Sequence, residues 1–357
     1  MRHTPGAVLL LLATCLPAQA PAGFETAVDR LFRDCRRPGR PGAAVLVAVG
    51  EQVLLRKAYG LADLERSVAL TPQSVFDIGS TSKQFTAACL LLLAQSGDLS
   101  LDDRVREHID ELPACFDPVT LRHLMLHTSG VPDYIDRLAE RGADDEDRTT
   151  MDEALAVLCD VERLDFATGT RWAYSNSNYL LLSLVVEYES GLPLPQFARE
   201  RIFEPLGMAH THIHADCTAL VPNRALSYSR SSGSWRWHFS NWEQTGDGAV
   251  FTTVGDLLIW ARNFRHGRVG GQALLEAMAK RGRLDDGSAI DYGAGLVFGR
   301  IGERVTISHG GAWAAYGADL LRIPDRDLVV VCLCNRDDID PTRLARRIAK
   351  LALKHLE

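Results

Sequence analysis

The sequence predicts an α/β (α+β) fold: one antiparallel sheet built from both ends of the chain and flanked by helices, with a mainly helical lobe inserted between those ends. Three observations carry this expectation. Residues 42–60 read as two apolar runs joined at Gly50-Glu51, the pattern of a β-hairpin. Residues 304–308, 318–323 and 327–334 read as three strands, the last two joined by the turn Pro324-Asp325-Arg326. The long middle carries helical rather than strand periodicity.

Taken in order, residues 27–35 suit an amphipathic helix ahead of the hairpin. The middle offers helices at 88–96, 121–126, 151–158 and 179–189, the third opened by a capping box of Thr150 with Glu153. A final helix covers about 341–355. No repeat, low-complexity tract or long linker interrupts the chain. The expected organisation after residues 1–20 is therefore one body, residues 21–357, with an α/β lobe at about 24–75 and 245–357 and a helical lobe at about 76–244.

Residues 1–20 have the form of a secretory signal peptide. Arg2 and His3 precede an apolar run from 7 to 16, and Ala18-Gln19-Ala20 supplies a small-x-small cleavage site. An alternative is lipid attachment at Cys15, although Thr14 just before it is unfavourable. The run is too short to cross a bilayer, and no later stretch is long and apolar enough to do so, so a secreted or periplasmic protein is expected. A net charge of −7 with both signs interspersed argues against nucleic acid and anionic membranes as partners. Beyond the leader, Cys89 and Cys159 fall in helical patterns and Cys332 with Cys334 in a strand, where buried thiols are common; no essential disulfide framework is expected.

Chemistry enters at residues 76–88, Phe-Asp-Ile-Gly-Ser-Thr-Ser-Lys-Gln-Phe-Thr-Ala-Ala. Ser80 and Lys83 stand three apart at the start of a run of helix formers, so the amine can sit beside the hydroxyl. A serine hydroxyl is a weak nucleophile until a neighbouring base takes its proton. Lysine serves only if its pKa falls by about 3 units, about 4 kcal/mol of destabilised ammonium, which demands a desolvated site. Among Lys57, Lys83, Lys280, Lys350 and Lys354, only Lys83 has a serine three residues before it.

Two further clusters could complete a site. Tyr174 and Asn176 form the single Tyr-x-Asn of the chain, offering a phenol that can relay a proton and an amide that can hold both a lysine and a substrate carbonyl. Ser308-His309-Gly310-Gly311-Ala312 closes a strand with consecutive glycines, where a ligand can approach the backbone closely. His309 there could bind or protonate a substrate, or be an ordinary strand-end histidine.

In this order and spacing, the three motifs resemble the serine β-lactamase and penicillin-binding-protein superfamily, closest to its class C-like branch with D,D-peptidases, D-aminopeptidases and esterases. The resemblance extends over most of residues 42–336. It includes Pro41-Gly42-Ala43-Ala44, Leu124-Met125-Leu126-His127-Thr128-Ser129-Gly130, Arg201-Ile202-Phe203-Glu204-Pro205-Leu206-Gly207-Met208 and Gly246-Asp247-Gly248-Ala249-Val250-Phe251. It implies a β-lactamase/transpeptidase-like fold with Ser80 as acylated nucleophile, Lys83 as activating base and Tyr174 as proton relay, the base duty divided between the last two in a way the sequence leaves open. It further implies that Asn176 orients Lys83 and the substrate's acyl amide, that His309 and Gly311 occupy the strand triad, and that the amides of Ser80 and Ala312 form the oxyanion hole. No cofactor or metal is called for.

The chain departs from the β-lactamases proper at the strand triad, where His309-Gly310-Gly311 stands in place of Lys-Thr-Gly. A histidine with an ordinary pKa is only about a quarter charged at pH 7, and Gly310 brings no side-chain donor, so recognition of a substrate carboxylate is weakened. The expectation is an exported serine hydrolase acting on an amide or ester in a small molecule or peptide, of D-amino-acid peptidase, amidase or esterase type. A class C-like β-lactamase is the alternative, and a penicillin-binding or sensing protein without turnover is the rival from outside catalysis. His210, His212 and His214 alternate as if to share one strand face, but structural roles are expected for them and for His123 and His127. Trp235, Trp237 and Trp242 are equally placed to form an aromatic wall beside the cleft or to be half-buried loop residues.

Overall fold

The computed structural model describes residues 23–356; the expected leader, with its alternative at Cys15, lies outside the described residues. Helix α1 (Phe24–Leu31) precedes a hairpin of strands β1 (Ala43–Val49) and β2 (Gln52–Tyr59). The chain then enters the helical region containing α2 (Lys83–Ser96) and α3 (Asn176–Ser190), returns through α4 (Val254–His266), and ends with β3 (Val297–Ile301), β4 (Arg304–Trp313), β5 (Tyr316–Ile323), β6 (Leu328–Cys334) and α5 (Pro341–Leu356).

The six strands form one antiparallel sheet in the order β3-β4-β5-β6-β1-β2, so the N-terminal hairpin pairs directly with the last strand, Ala43 opposite Cys334. Both faces are covered. Leu46, Leu320, Val331 and Leu333 face the main core, while Val45, Val47, Leu321, Val330 and Cys332 pack under α1 and α5. That double burial explains why β1 and β6 are apolar at nearly every position rather than alternating.

Helices α2 and α3 are buried all round except in their last turns, as their apolar sequences require, and they pack on each other. Each ends at a left-handed glycine, Gly97 and Gly191. A small sheet of 76–77, 250–252 and 212–213 lies where the helical region meets the large sheet, immediately before Ser80.

Three differences from the sequence boundaries are instructive. The first helix starts at Phe24 and stops at Leu31, followed by turns through 36. Strand β3 is absent from the expectation because Gly293, Gly295 and Gly299 mask an edge strand among loop residues. Strand β4 does not stop at 308; it continues through Gly310 and Gly311 to Trp313, because pairing with β5, His309 to Leu320 and Gly311 to Ala318, outweighs glycine's poor strand propensity. The described cysteines are all free thiols.

Candidate active site

Ser80 sits in a 3₁₀ turn, Gly79–Ser82, that leads into α2. In such a turn residues three apart eclipse, which stacks Lys83 over Ser80 more closely than an α-helix would. The turn is fixed from outside: the Ile78 amide donates to Val250 O at 3.0 Å, and the Gly79 amide donates to Asp77 Oδ1 at 2.8 Å. Gly79 has φ +47°, and a Cβ there would lie 2.7 Å from the amide nitrogen of Ala312. Glycine therefore lets the serine turn close onto the end of β4.

Lys83 is fully buried, and its Nζ has three neighbours: Ser80 Oγ at 3.1 Å, Asn176 Oδ1 at 2.9 Å and the Asp247 carbonyl at 2.7 Å. Burial pushes the lysine pKa down to about 8, against the opposing pull of the Asp247 and Asp133 carboxylates. Tyr174 donates its hydroxyl to Ser80 Oγ at 2.8 Å from the other side. Desolvation raises the phenol pKa well above its usual value, so it stays protonated.

Asn176 owes its orientation to Asp133. Asp133 Oδ2 accepts from the Asn176 amide at 2.8 Å and from Nδ2 at 2.9 Å, which turns Oδ1 of the side chain toward Lys83. Asp133 also caps the helix at 134–140 through Ile135 N. Asp247 contributes a carbonyl to Lys83, while its carboxylate accepts from the Tyr134 hydroxyl at 3.2 Å.

Gly311 and Ala312 press against the serine turn. A Cβ on Gly311 would fall 1.9 Å from Ile78 O and 2.9 Å from Ser80 N. The main chain of β4 is thus held against that of the nucleophile. Two openings meet at Ser80: a cavity of about 220 Å³ lined by Asn176, Arg224, Trp242, Asp247, Ala312 and Trp313, among others, and a groove lined by Tyr174, His309, Gly310, Gly311 and Thr342.

His309 is only 4 % exposed, with Nε2 3.0 Å from the Tyr292 hydroxyl and Nδ1 2.6 Å from Gly310 O. Burial, helped by the charge of Lys83, depresses its pKa to about 4. The fraction of charge expected from an ordinary histidine is therefore lost. Ser80, Lys83, Tyr174 and Asn176 form one hydrogen-bonded cluster, with Gly311 and Ala312 against it and His309 set slightly behind.

Of the remaining clusters, only the pair His212 and His214 stays together, ring centroids 5.6 Å apart. His210 is exposed, and His212 and His214 lie against Phe251. His123 completes a capping box with Thr120, and His127 is buried behind Tyr174. Of the three tryptophans, only Trp242 lines the cavity, where it meets Trp313 at a centroid distance of 5.3 Å. Trp235 instead lies beneath Arg336, and Trp237 lies against Phe239 at the surface. Asp133, Tyr292 and Trp313 were missed as functional candidates. Asp133 stands just beyond the 124–130 motif, the one signal that could have drawn attention to it.

Residues 28–354 match the Beta-lactamase family. The chain is 29 % identical to penicillin-binding protein 4* of Bacillus subtilis over 87 % of its own length and 72 % of that protein's. It is 30 % identical to a D-aminopeptidase of Gluconobacter oxydans over 88 % of this chain. It spans 59 % of that enzyme's length, and 56 % of the D-aminopeptidase of Brucella anthropi. Its fold is that of an octameric penicillin-binding protein homologue from Pyrococcus abyssi, with a TM-score of 0.81 at 24 % identity, 93 % of this chain and 77 % of that one being covered. The D-amino acid amidase of Ochrobactrum anthropi SV3 superposes with a TM-score of 0.77 at 22 % identity over 94 % of this chain and 99 % of that one. With the match running almost end to end through the described residues, the chain belongs to the Beta-lactamase family and is a serine hydrolase of that family.

Proposed function

We propose that this chain is an exported amidase, peptidase or esterase of the D-amino-acid type that works through an acyl-enzyme on Ser80. The observation that carries the reading is the surround of Lys83. In its neutral form the amine has two hydrogens and one lone pair. Asn176 Oδ1 and Asp247 O can only accept, so they engage the hydrogens and leave the lone pair for the Ser80 hydroxyl.

Ser80 Oγ gives its proton to Lys83 Nζ and attacks the scissile carbonyl carbon. The developing oxyanion is received by the amides of Ser80 and Ala312. When the bond to the leaving group breaks, Tyr174 passes a proton to the departing nitrogen or oxygen and is reprotonated by the Lys83 ammonium, which returns the amine to its neutral form. Water, giving a proton to the neutral Lys83 amine, then attacks the acyl-serine ester, and the acid leaves as Lys83 returns that proton to Ser80 Oγ. Asn176 positions both the lysine and the acyl part.

The leaving-group side supports an amine, ammonia or alcohol over a group bearing a carboxylate. That side is the groove next to Tyr174, and the imidazole there is neutral and committed to Tyr292 and Gly310. Gly310 adds no side-chain donor. The leader-like residues 1–20 support export; among the described residues no helix is long and apolar enough to cross a membrane.

Intact-protein mass spectrometry after exposure to an activated ester or a penicillin should show a transient adduct that is missing in Ser80→Ala. An adduct that persists in that variant rules out Ser80 as nucleophile. D-Aminoacyl amides and short-chain nitrophenyl esters should turn over faster than a chromogenic cephalosporin. The reverse order would favour a β-lactamase, and stoichiometric labelling without turnover a sensing protein.

A further inference from the structure

Behind the site runs a line of buried polar side chains for which the chemistry above has no use. Asn178 Nδ2 lies 2.9 Å from His127 Nδ1, His127 Nε2 is 3.2 Å from the Tyr292 hydroxyl, and that hydroxyl is 3.0 Å from His309 Nε2. Asn178, His127, Tyr292 and His309 are each at most 4 % exposed. Such a line is costly unless every donor meets an acceptor.

The direction of the line is set at both ends by backbone groups that have only one role. The Ser175 amide points at His127 Nδ1 at 3.3 Å; an amide can only donate, so this nitrogen carries the lone pair and the ring proton sits on Nε2. At the other end Gly310 O lies 2.6 Å from His309 Nδ1; a carbonyl can only accept, so here the proton sits on Nδ1 and the lone pair on Nε2. Tyr292 must therefore accept from His127 and donate to His309. Burial keeps both rings neutral, as this arrangement requires.

Each ring then acts on one half of the site. The His127 ring lies against the Tyr174 ring at a centroid distance of 4.4 Å, while its carbonyl accepts from Ala173 N at 3.0 Å. Residues 173 and 175 are thus both tied to His127, one on each side of Tyr174. His127 itself has φ +57°, a conformation that costs about 1 kcal/mol in a residue other than glycine. His309 clamps Gly310 O, and its own carbonyl accepts from Thr81 Oγ1 at 3.0 Å, which ties β4 to the serine turn just before Ala312.

We propose that Tyr292 is a positioning residue: its hydroxyl fixes His127 and His309 as opposite neutral tautomers, and through them holds the Tyr174 phenol and the oxyanion-hole strand in one geometry. The assignment rests on the acyl-enzyme reading above. Tyr292 touches neither substrate nor nucleophile; it acts through the two histidines, with the Tyr179 phenol beside it as a further polar neighbour.

The test combines kinetics with the nitrogen resonances of histidine-labelled protein. In the unsubstituted enzyme His309 should be protonated on Nδ1 and His127 on Nε2, the signals being assigned with His309→Asn and His127→Asn. In Tyr292→Phe, kcat for a nitrophenyl ester should fall about 10- to 100-fold, the scale of a small misplacement of reacting groups, with KM within about twofold. The His309 signals should shift at the same time. A folded Tyr292→Phe with full kcat overturns the proposal, and so does His309 protonated on Nε2 in the unsubstituted protein, which is readable even if the variant fails to fold. Absence of turnover in the unsubstituted enzyme would instead defeat the acyl-enzyme reading, and the tautomers would still decide the role of Tyr292.

Discussion

The Lys83 amine lies 3.1 Å from Ser80 Oγ, in a site where burial lowers the lysine pKa to about 8 while the phenol of Tyr174 is driven upward. On the acyl-enzyme reading proposed above, Lys83 is then the group able to be neutral near pH 8, and Tyr174 the group that holds a proton to give. For a base that must be deprotonated, kcat/KM rises with pH up to the pKa and then levels. The profile should therefore climb about tenfold per pH unit below pH 8 and flatten above it. A rate still climbing beyond pH 10 would transfer the base role to Tyr174.

Asp133 offers a way to move that profile without touching Ser80. It anchors Asn176 through two hydrogen bonds, and its carboxylate helps hold the Lys83 proton in place. In Asp133→Asn the ammonium loses an anionic neighbour, so the lysine pKa falls and the limb shifts to lower pH. The plateau should drop about tenfold, since one of the donors that Asp133 satisfied loses its acceptor, an effect of about 1.4 kcal/mol. An unmoved limb would mean that Asp133 does not communicate with Lys83.

Gly311 allows a sharper geometric test. An added Cβ would stand 1.9 Å from Ile78 O, and both partners are main chain, so neither can move aside alone. Gly311→Ala should force β4 away from the serine turn and withdraw the Ala312 amide from the oxyanion. The expected loss in kcat is about 100-fold or more, the scale for losing one hole donor. A variant with near-normal kcat would show that this strand does not supply the hole.

The parts of the site legible in the sequence are those written in short spacings. Ser80 with Lys83, and Tyr174 with Asn176, each lie within one turn of chain, and the glycines after His309 announce a close backbone approach. What could not be read depends on contacts between distant segments. The third neighbour of Lys83 is a carbonyl, that of Asp247, and a carbonyl leaves no letter in the sequence. Tyr292 meets a histidine 165 residues away, and only that contact distinguishes it from other half-apolar tyrosines. The tryptophans were open between one wall and half-buried loop residues, and the structure divides them: Trp242 lines the cavity beside Trp313 of β4, whereas the cation of Arg336, 4.6 Å from its ring, holds Trp235 elsewhere. The large sheet was readable because burial on both faces leaves long apolar runs, and the one of its strands that escaped was the glycine-interrupted edge.

Asp319 on β5 provides a stability test separate from catalysis. It is fully buried; Oδ2 accepts from Thr342 Oγ1 at 2.8 Å, and Oδ1 has no partner among the described residues. Burial lifts its pKa to about 7, against about 3.9 in an unfolded chain. The folded protein therefore holds this proton more tightly than the unfolded one. Its contribution to stability is complete below pH 4 and is lost as the pH rises to 7. Asparagine has no proton to lose, so the stability of Asp319→Asn relative to the unsubstituted chain should improve over that interval, by as much as about 4 kcal/mol for a shift of this size. Urea unfolding at pH 5 and pH 8 reads this directly, through a difference in midpoints that grows with pH. If the two proteins keep a constant difference across the range, Asp319 does not titrate in the folded state and the buried carboxyl must find its compensation elsewhere.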